Sequence, residues 1–156
     1  TIAWRSLQKE CPSGGSIWRH SVLSDTAFAD MTALIIDDQE FVVNIVSKMM
    51  EQIGFGRIET AADGQAGLEA MTDVRPNVVL CDIEMRPMDG LTFLKELRDS
   101  ADQTICDTPV IFLTSHGRHE LVSQARALGA DGFVTKPATV NLLRERIEQS
   151  IQSRAA

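Results

Sequence analysis

The sequence predicts an α/β fold: a doubly wound, five-stranded parallel sheet of order 2-1-3-4-5, with helices on both faces. Three observations predict it. First, short and nearly all-apolar runs recur, as in Val78-Val79-Leu80-Cys81 and Val110-Ile111-Phe112-Leu113. Runs of this kind are strands covered on both faces, the usual state of parallel strands. Second, strand runs alternate with stretches of helical apolar spacing, and alternation with short connections gives a parallel sheet with right-handed crossovers. Third, four of the runs end in polar side chains: Asp37-Asp38, Asp82, Thr114-Ser115 and Lys136-Pro137. The ends of parallel strands converge on one edge, where open α/β sheets bind their ligands.

In chain order, Ala33 to Ile36 is the first strand. A helix over 39–53 follows, with Val42, Val46, Met49 and Ile53 on one face and Gly54 as its stop. Residues 57–60 form a short second strand. The turn Asp63-Gly64 leads into a helix over 65–74, closed by Arg75-Pro76. Val78 to Asp82 is the central strand, and 83–89 is a loop. A helix over 90–99 turns Leu91, Leu94 and Leu97 inward. Pro109 opens the fourth strand. A helix over 118–128 buries Leu121, Ala125 and Leu128 and ends at Gly129. The last strand covers 131–135, and the last helix, 139–151, carries Leu143, Ile147 and Ile151 on its inner face.

The length of 156 residues suits one domain with a modest appendage, and a 44% hydrophobic fraction is ample for its core. The net charge of −7 argues against nucleic acid or an anionic membrane as the main partner. No apolar run approaches membrane-spanning length, and the first residues lack the apolar core of a secretory signal, so a cytoplasmic location is expected. Three scattered cysteines make neither a disulfide framework nor a zinc site; Cys81 and Cys106 read as small core or loop residues, a redox role for Cys81 being the weaker reading. Residues 1–30 differ from the rest. Cys11 to Ser16 has loop composition, and Trp4 and Trp18 fit no amphipathic period. The expectation is a partly disordered N-terminal appendage over 1–30, with one short helix from Ser24 to Phe28 capped by Ser24, and the domain proper over 31–156. The chain opens on Thr1, so Met31 is a candidate natural start, and both a stand-alone domain and a fragment of a larger protein are carried forward.

The converging strand ends define a chemistry. Unit charges about 4 Å apart repel by roughly 4 kcal/mol at an effective dielectric of 20. Asp37, Asp38 and Asp82 together therefore call for a cation, and Mg²⁺ suits a site of few carboxylates and several waters. A plainer reading makes Asp38 the N-cap of the following helix; it accounts for one Asp but not for three beside a lysine. Lys136 is a point charge suited to an anionic oxygen, or to a salt bridge with Asp82, and the X–Pro bond after it can be cis. Thr114 offers a hydroxyl donor. A carboxylate nucleophile, a metal, a cation and a hydroxyl together support phosphoryl transfer to the carboxylate. On the first helix, Phe41 and Ile45 fall beside the inward face, near the rim of the site, and read as a partner patch.

Asp37-Asp38, Asp82, Thr114, Lys136-Pro137, Met88-Asp89-Gly90 and Ala130-Asp131-Gly132-Phe133, taken together and in order, resemble the receiver domain of bacterial two-component response regulators, in particular a single-domain chemotaxis-type receiver. The likeness covers roughly Met31 to the C-terminus. It implies a flavodoxin-like (βα)5 sandwich. It implies that Asp82 accepts a phosphoryl group from a phosphohistidine on a sensor histidine kinase or histidine phosphotransfer protein. It implies Mg²⁺, with Mn²⁺ able to substitute, held by Asp38, Asp82 and the backbone carbonyl of Glu84, with Asp37 acting through water. Lys136 and Thr114 would bind phosphoryl oxygens, and Phe133 would change rotamer with Thr114. Such a domain is a phosphoacceptor that slowly dephosphorylates itself, and it signals by protein–protein contact with an output partner rather than by binding DNA or a membrane. Phe41, Ile45 and Pro137 are the expected docking residues.

The chain departs from the pattern in places. The usual proline directly after Met85 is replaced by Arg86, with Pro87 next. Glu84 and His116 stand at positions expected to set phosphorylation and hydrolysis rates. Two alternatives are carried forward: a receiver fragment of a larger regulator or hybrid kinase, and a flavin-binding or hydrolytic enzyme on the same fold.

Overall fold

The computed structural model describes residues 25–115 and 119–155. Its elements are α1 (Asp25–Phe28), β1 (Thr32–Ile36), α2 (Glu40–Ile53), β2 (Arg57–Ala61), α3 (Gly64–Val74), β3 (Val78–Asp82), α4 (Gly90–Arg98), α5 (Gln103–Cys106), β4 (Val110–Thr114), α6 (His119–Ala127), β5 (Gly132–Thr135) and α7 (Val140–Ala155). The strands pair in parallel in the order β2-β1-β3-β4-β5, as the alternation of elements predicts.

Successive strand residues point to opposite faces, and the core divides accordingly. Ala33, Ile35, Val78, Leu80, Ile111, Leu113 and Val134 pack under α2 and α7. Leu34, Ile36, Val79, Cys81, Val110 and Phe112 pack under α3, α4 and α6. The register sets Asp82 opposite Leu113 and Thr114 opposite Thr135, which brings the ends of β3, β4 and β5 to one edge. Among the described residues, no helix is long and apolar enough to cross a membrane.

Several details differ from the periodicity. On α2 the buried residues are Val46, Met50 and Ile53, while Val42 and Met49 are only partly buried. Adjacent methionines satisfy a helical period almost equally well, and the rotation of the docked helix selects Met50. The short helix α5 between α4 and β4 is an addition; Asp102 caps it by accepting from the Thr104 N–H, a unit too short to show a period. Helix α7 runs past residue 151, where Arg154 reaches back to Asp131 at 2.6 Å.

The boundary drawn before Met31 cuts through packed structure. Phe28 is fully buried in the α2–α7 core, with its ring 4.9 Å from that of Phe55 and the Arg144 guanidinium above it. The Phe28 carbonyl accepts from the Met31 and Gly56 N–H groups. A Cβ on Gly56 would clash with the Ala29 carbonyl, so the turn between α2 and β2 closes on the chain just after α1 only with glycine there. A short helix near Phe28 is present, but its proposed cap, Ser24, lies outside the described residues, as does the rest of 1–24.

At the end of the sheet opposite the strand C-termini, Arg98 donates to the carbonyls of Cys106, Thr108 and Gly129 and to Asp131. Asp131 also accepts from the Val110 N–H and from Arg154. One buried cluster thus ties α4, β4, α6 and α7 together. Burial and the neighbouring Arg154 push the Arg98 guanidinium below its ordinary pKa, with Asp131 opposing.

Phe28→Ala should cost roughly 3–5 kcal/mol of stability, the usual loss for a buried phenylalanine. A chain beginning at Met31 should lose at least as much. Urea unfolding followed by circular dichroism measures both, and an unchanged midpoint would mean that α1 does not pack on the domain in solution.

Candidate functional site

The strand ends build the site. Asp37 prolongs β1: its N–H donates to the Ala61 carbonyl, and its side chain is wholly buried. Asp37 Oδ1 accepts from the Gln39 N–H at 2.9 Å, turning the chain into α2. The N-cap of that helix is Gln39, without a side-chain cap, so Asp38 does not cap it; Asp38 is exposed on the rim instead. Carboxylate oxygens of Asp37, Asp38 and Asp82 all lie within 4.8 Å of one another.

Asp82 closes β3 with its side chain 13% exposed. Lys136 Nζ stands between two carboxylates, 3.4 Å from Asp37 Oδ2 and 3.5 Å from Asp82 Oδ2. Burial pushes the Asp82 carboxyl above its ordinary range; Lys136 pulls it down, Asp37 pushes it up, and a hydrogen bond from the Glu84 backbone N–H pulls it down again. Each effect has the expected sign: desolvation and a like charge oppose ionisation, and a cation or a donor favours it. The Glu84 side chain is exposed. Beneath, Cys81 is fully buried, and burial together with Asp82 raises its thiol well above the usual value. It stays a neutral thiol, unsuited to redox sensing.

The loop after Asp82 is held at both ends. Gly90 N–H donates to the Ile83 carbonyl and Gly64 N–H to that of Met88. A Cβ on Gly90 would clash with the Asp82 carbonyl oxygen, which accounts for glycine there. Met85 is buried while Arg86 and Pro87 are exposed, and the Arg86–Pro87 bond is cis.

Thr114 is buried, and its hydroxyl donates to the Ser115 carbonyl at 3.2 Å. The Lys136 N–H donates to the Thr114 carbonyl, so the two polar groups are fixed by one rung of the β4–β5 ladder. The Lys136–Pro137 bond is cis. Phe133, on β5 three residues before Lys136, is half-buried and stacks on Phe112 with ring centroids 6.2 Å apart. Phe41 is 76% and Ile45 40% exposed on α2, and Pro137 is exposed. His116 lies outside the described residues.

Two features were not anticipated from sequence. A cleft of about 350 Å³ opens beside Asp38, between Glu84, Met85, Arg86 and Asp89 on the loop and Leu91 and Leu121 on α4 and α6. The guanidinium of Arg126 lies 5.3 Å from the Phe133 ring centroid. Both depend on elements far apart in sequence, and no local pattern announces either.

The donor set fits a hard divalent cation: three clustered carboxylates, one of them buried, with Lys136 the one ammonium against them among the described residues. Asp38 and Asp82 are the residues that would hold it, with Asp37 behind them.

The family model described as the response regulator receiver domain matches residues 33–148. The chain is 35% identical over 115 residues to the "Probable chemotaxis protein CheY" of Rhizobium etli, covering 74% of this chain and 88% of that one. It is 33% identical over 110 residues to a protein-glutamate methylesterase/protein-glutamine glutaminase of Natronomonas pharaonis, covering 69% of this chain but only 30% of that protein. Among solved structures, chemotaxis protein CheY4 of Vibrio cholerae superposes with a TM-score of 0.69 at 29% identity, covering 77% of this chain and 98% of that one.

Because the folded chain raises the Asp82 pKa, it binds more protons than the unfolded chain between the ordinary carboxylate range and the raised value, and stability falls as pH rises through that window. Asp82→Asn should therefore unfold at a higher temperature than the wild type at pH 7 in EDTA. The advantage should shrink as pH falls below the carboxylate range, where the wild-type carboxyl is protonated. Thermal melts at both pH values measure it; a variant no more stable at pH 7 would contradict the assignment of strain to this carboxylate.

Proposed function

This chain belongs to the response regulator receiver domain family, and we propose that Asp82 is its phosphoacceptor. What carries the reading is the setting of Asp82: a largely buried carboxylate at the end of the central strand, 3.5 Å from Lys136 and clustered with Asp37 and Asp38. The donor is a phosphohistidine on a sensor histidine kinase or a histidine phosphotransfer protein. An Asp82 carboxylate oxygen attacks the phosphorus; the new O–P bond forms as the P–N bond breaks, and the imidazole nitrogen leaves with the electron pair. Lys136 Nζ pairs with a phosphoryl oxygen, and the Thr114 hydroxyl turns from the Ser115 carbonyl to donate to another, gaining a charge-assisted bond. Asp38, Asp82 and the Glu84 backbone carbonyl are the groups that would hold a Mg²⁺ ion, with Asp37 behind them; the ion would neutralise phosphoryl charge, and Mn²⁺ could substitute for it.

The product is an acyl phosphate that water slowly cleaves, so the chain is a signalling domain in the cytoplasm rather than a turnover enzyme. Glu84 at the rim adds negative charge that favours the cation and opposes the incoming phosphoryl group, and His116 is the second rate-setting position. The output is read by another protein. Phe41 and Ile45, exposed on α2 above the site, together with Pro137, form the docking patch for the phosphodonor. A second reading, that the domain regulates a larger protein, is favoured by the methylesterase relative, of which the chain spans under a third.

Acetyl phosphate should label the wild type in Mg²⁺, leave Asp82→Ala unlabelled, and label Lys136→Ala on the order of 10²-fold more slowly, the usual loss for one electrostatic donor. Label that persists on Asp82→Ala, or is undiminished by EDTA, removes the reading. Glu84→Ala should bind Mg²⁺ more weakly yet still accept phosphate. Phe41→Ala and Ile45→Ala should accept phosphate from acetyl phosphate at the wild-type rate but from a kinase more slowly; equal kinase rates would show that the patch is not used.

A further inference from the structure

Parallel neighbours in register point their side chains to the same face. Phe112 pairs with Phe133 and Thr114 with Thr135, so Thr114 lies one pleat from the Phe112–Phe133 stack, on the face covered by α6. Position and packing thus connect the hydroxyl at the site to the Phe133 ring. That ring is half-buried, and its outer side is covered by a cation: Arg126, in the last turn of α6, sets its guanidinium 5.3 Å from the ring centroid. This is within cation–π range. Among the described residues Arg126 has no carboxylate partner, so the ring is the group that holds it.

We propose that Arg126 is a positioning residue for the switch, a cationic clip that keeps Phe133 in its half-exposed resting place and so sets how readily phosphorylation of Asp82 is passed to α6. The clip rests on the receiver reading given above. When Thr114 turns toward a phosphoryl oxygen, the face beside Phe133 changes. For the ring to follow inward, it must leave the guanidinium, and that contact opposes the change. An exposed cation–π contact biases such an equilibrium by roughly two- to five-fold. Because coupling between a binding site and a conformation is reciprocal, the same factor must appear in the affinity of Asp82 for a phosphoryl analogue.

The experiment is a beryllofluoride titration of the full chain in Mg²⁺, read by NMR at the Phe133 ring and at backbone amides around Asp82. Arg126→Gln removes the cation and leaves a shorter, uncharged polar side chain. It should lower the beryllofluoride midpoint by about two- to five-fold, and Arg126→Lys should lower it less. In a Phe133→Leu background, Arg126→Gln should change nothing, since the ring it acts through is gone. A wild-type midpoint for Arg126→Gln, or an equal shift with and without the ring, overturns the clip. Failure of the receiver reading looks different: the amides around Asp82 would not respond to beryllofluoride in any variant. If those amides respond while the wild-type ring stays still, the site stands and the clip falls.

Discussion

Three carboxylates and one ammonium share the carboxyl edge of the sheet, and the rest of the molecule is arranged around that imbalance. Lys136 stands within 3.5 Å of both Asp37 and Asp82, yet one positive charge cannot satisfy three negative ones. The surplus charge is kept at the edge because the fold leaves it no exit. Asp37 is buried and engaged by the Gln39 N–H, and Asp82 is rooted in a strand whose other residues are fully buried. Burial raises the Asp82 pKa, so the fold holds this carboxylate where ionisation is disfavoured.

Holding unfavourable charge in place requires a rigid frame. The sheet supplies register, glycines at 64 and 90 let the loop after Asp82 close against neighbouring backbone, and the far end is clamped by the Arg98–Asp131–Arg154 cluster. Phe28 adds a plug beneath α2 and α7. At the α6 side, among the described residues, the Thr114 hydroxyl donates to the Ser115 carbonyl, and Phe133 lies between Phe112 and Arg126. Asp82 thus has a packed frame on one side and a half-buried aromatic on the other.

The sequence by itself determined the sheet, its order, and the identity of Asp37, Asp38, Asp82, Thr114 and Lys136 as strand-end groups. It could do so because a parallel strand buried on both faces is a local pattern: four or five apolar residues, then a polar one, wherever they occur in the chain. Tertiary structure alone decided what depends on how distant elements meet. Met50 rather than Met49 turns inward because helix rotation is set by docking. Phe28 belongs to the core because Phe55 and Arg144, from elsewhere in the chain, surround it. Asp38 leaves the N-cap to Gln39 because Asp37, held by the β1–β2 pairing, already receives the Gln39 N–H. Arg126 reaches Phe133 only when α6 lies across β5. Periodicity records which face of an element is apolar; it carries no record of which residue on another element that face will touch.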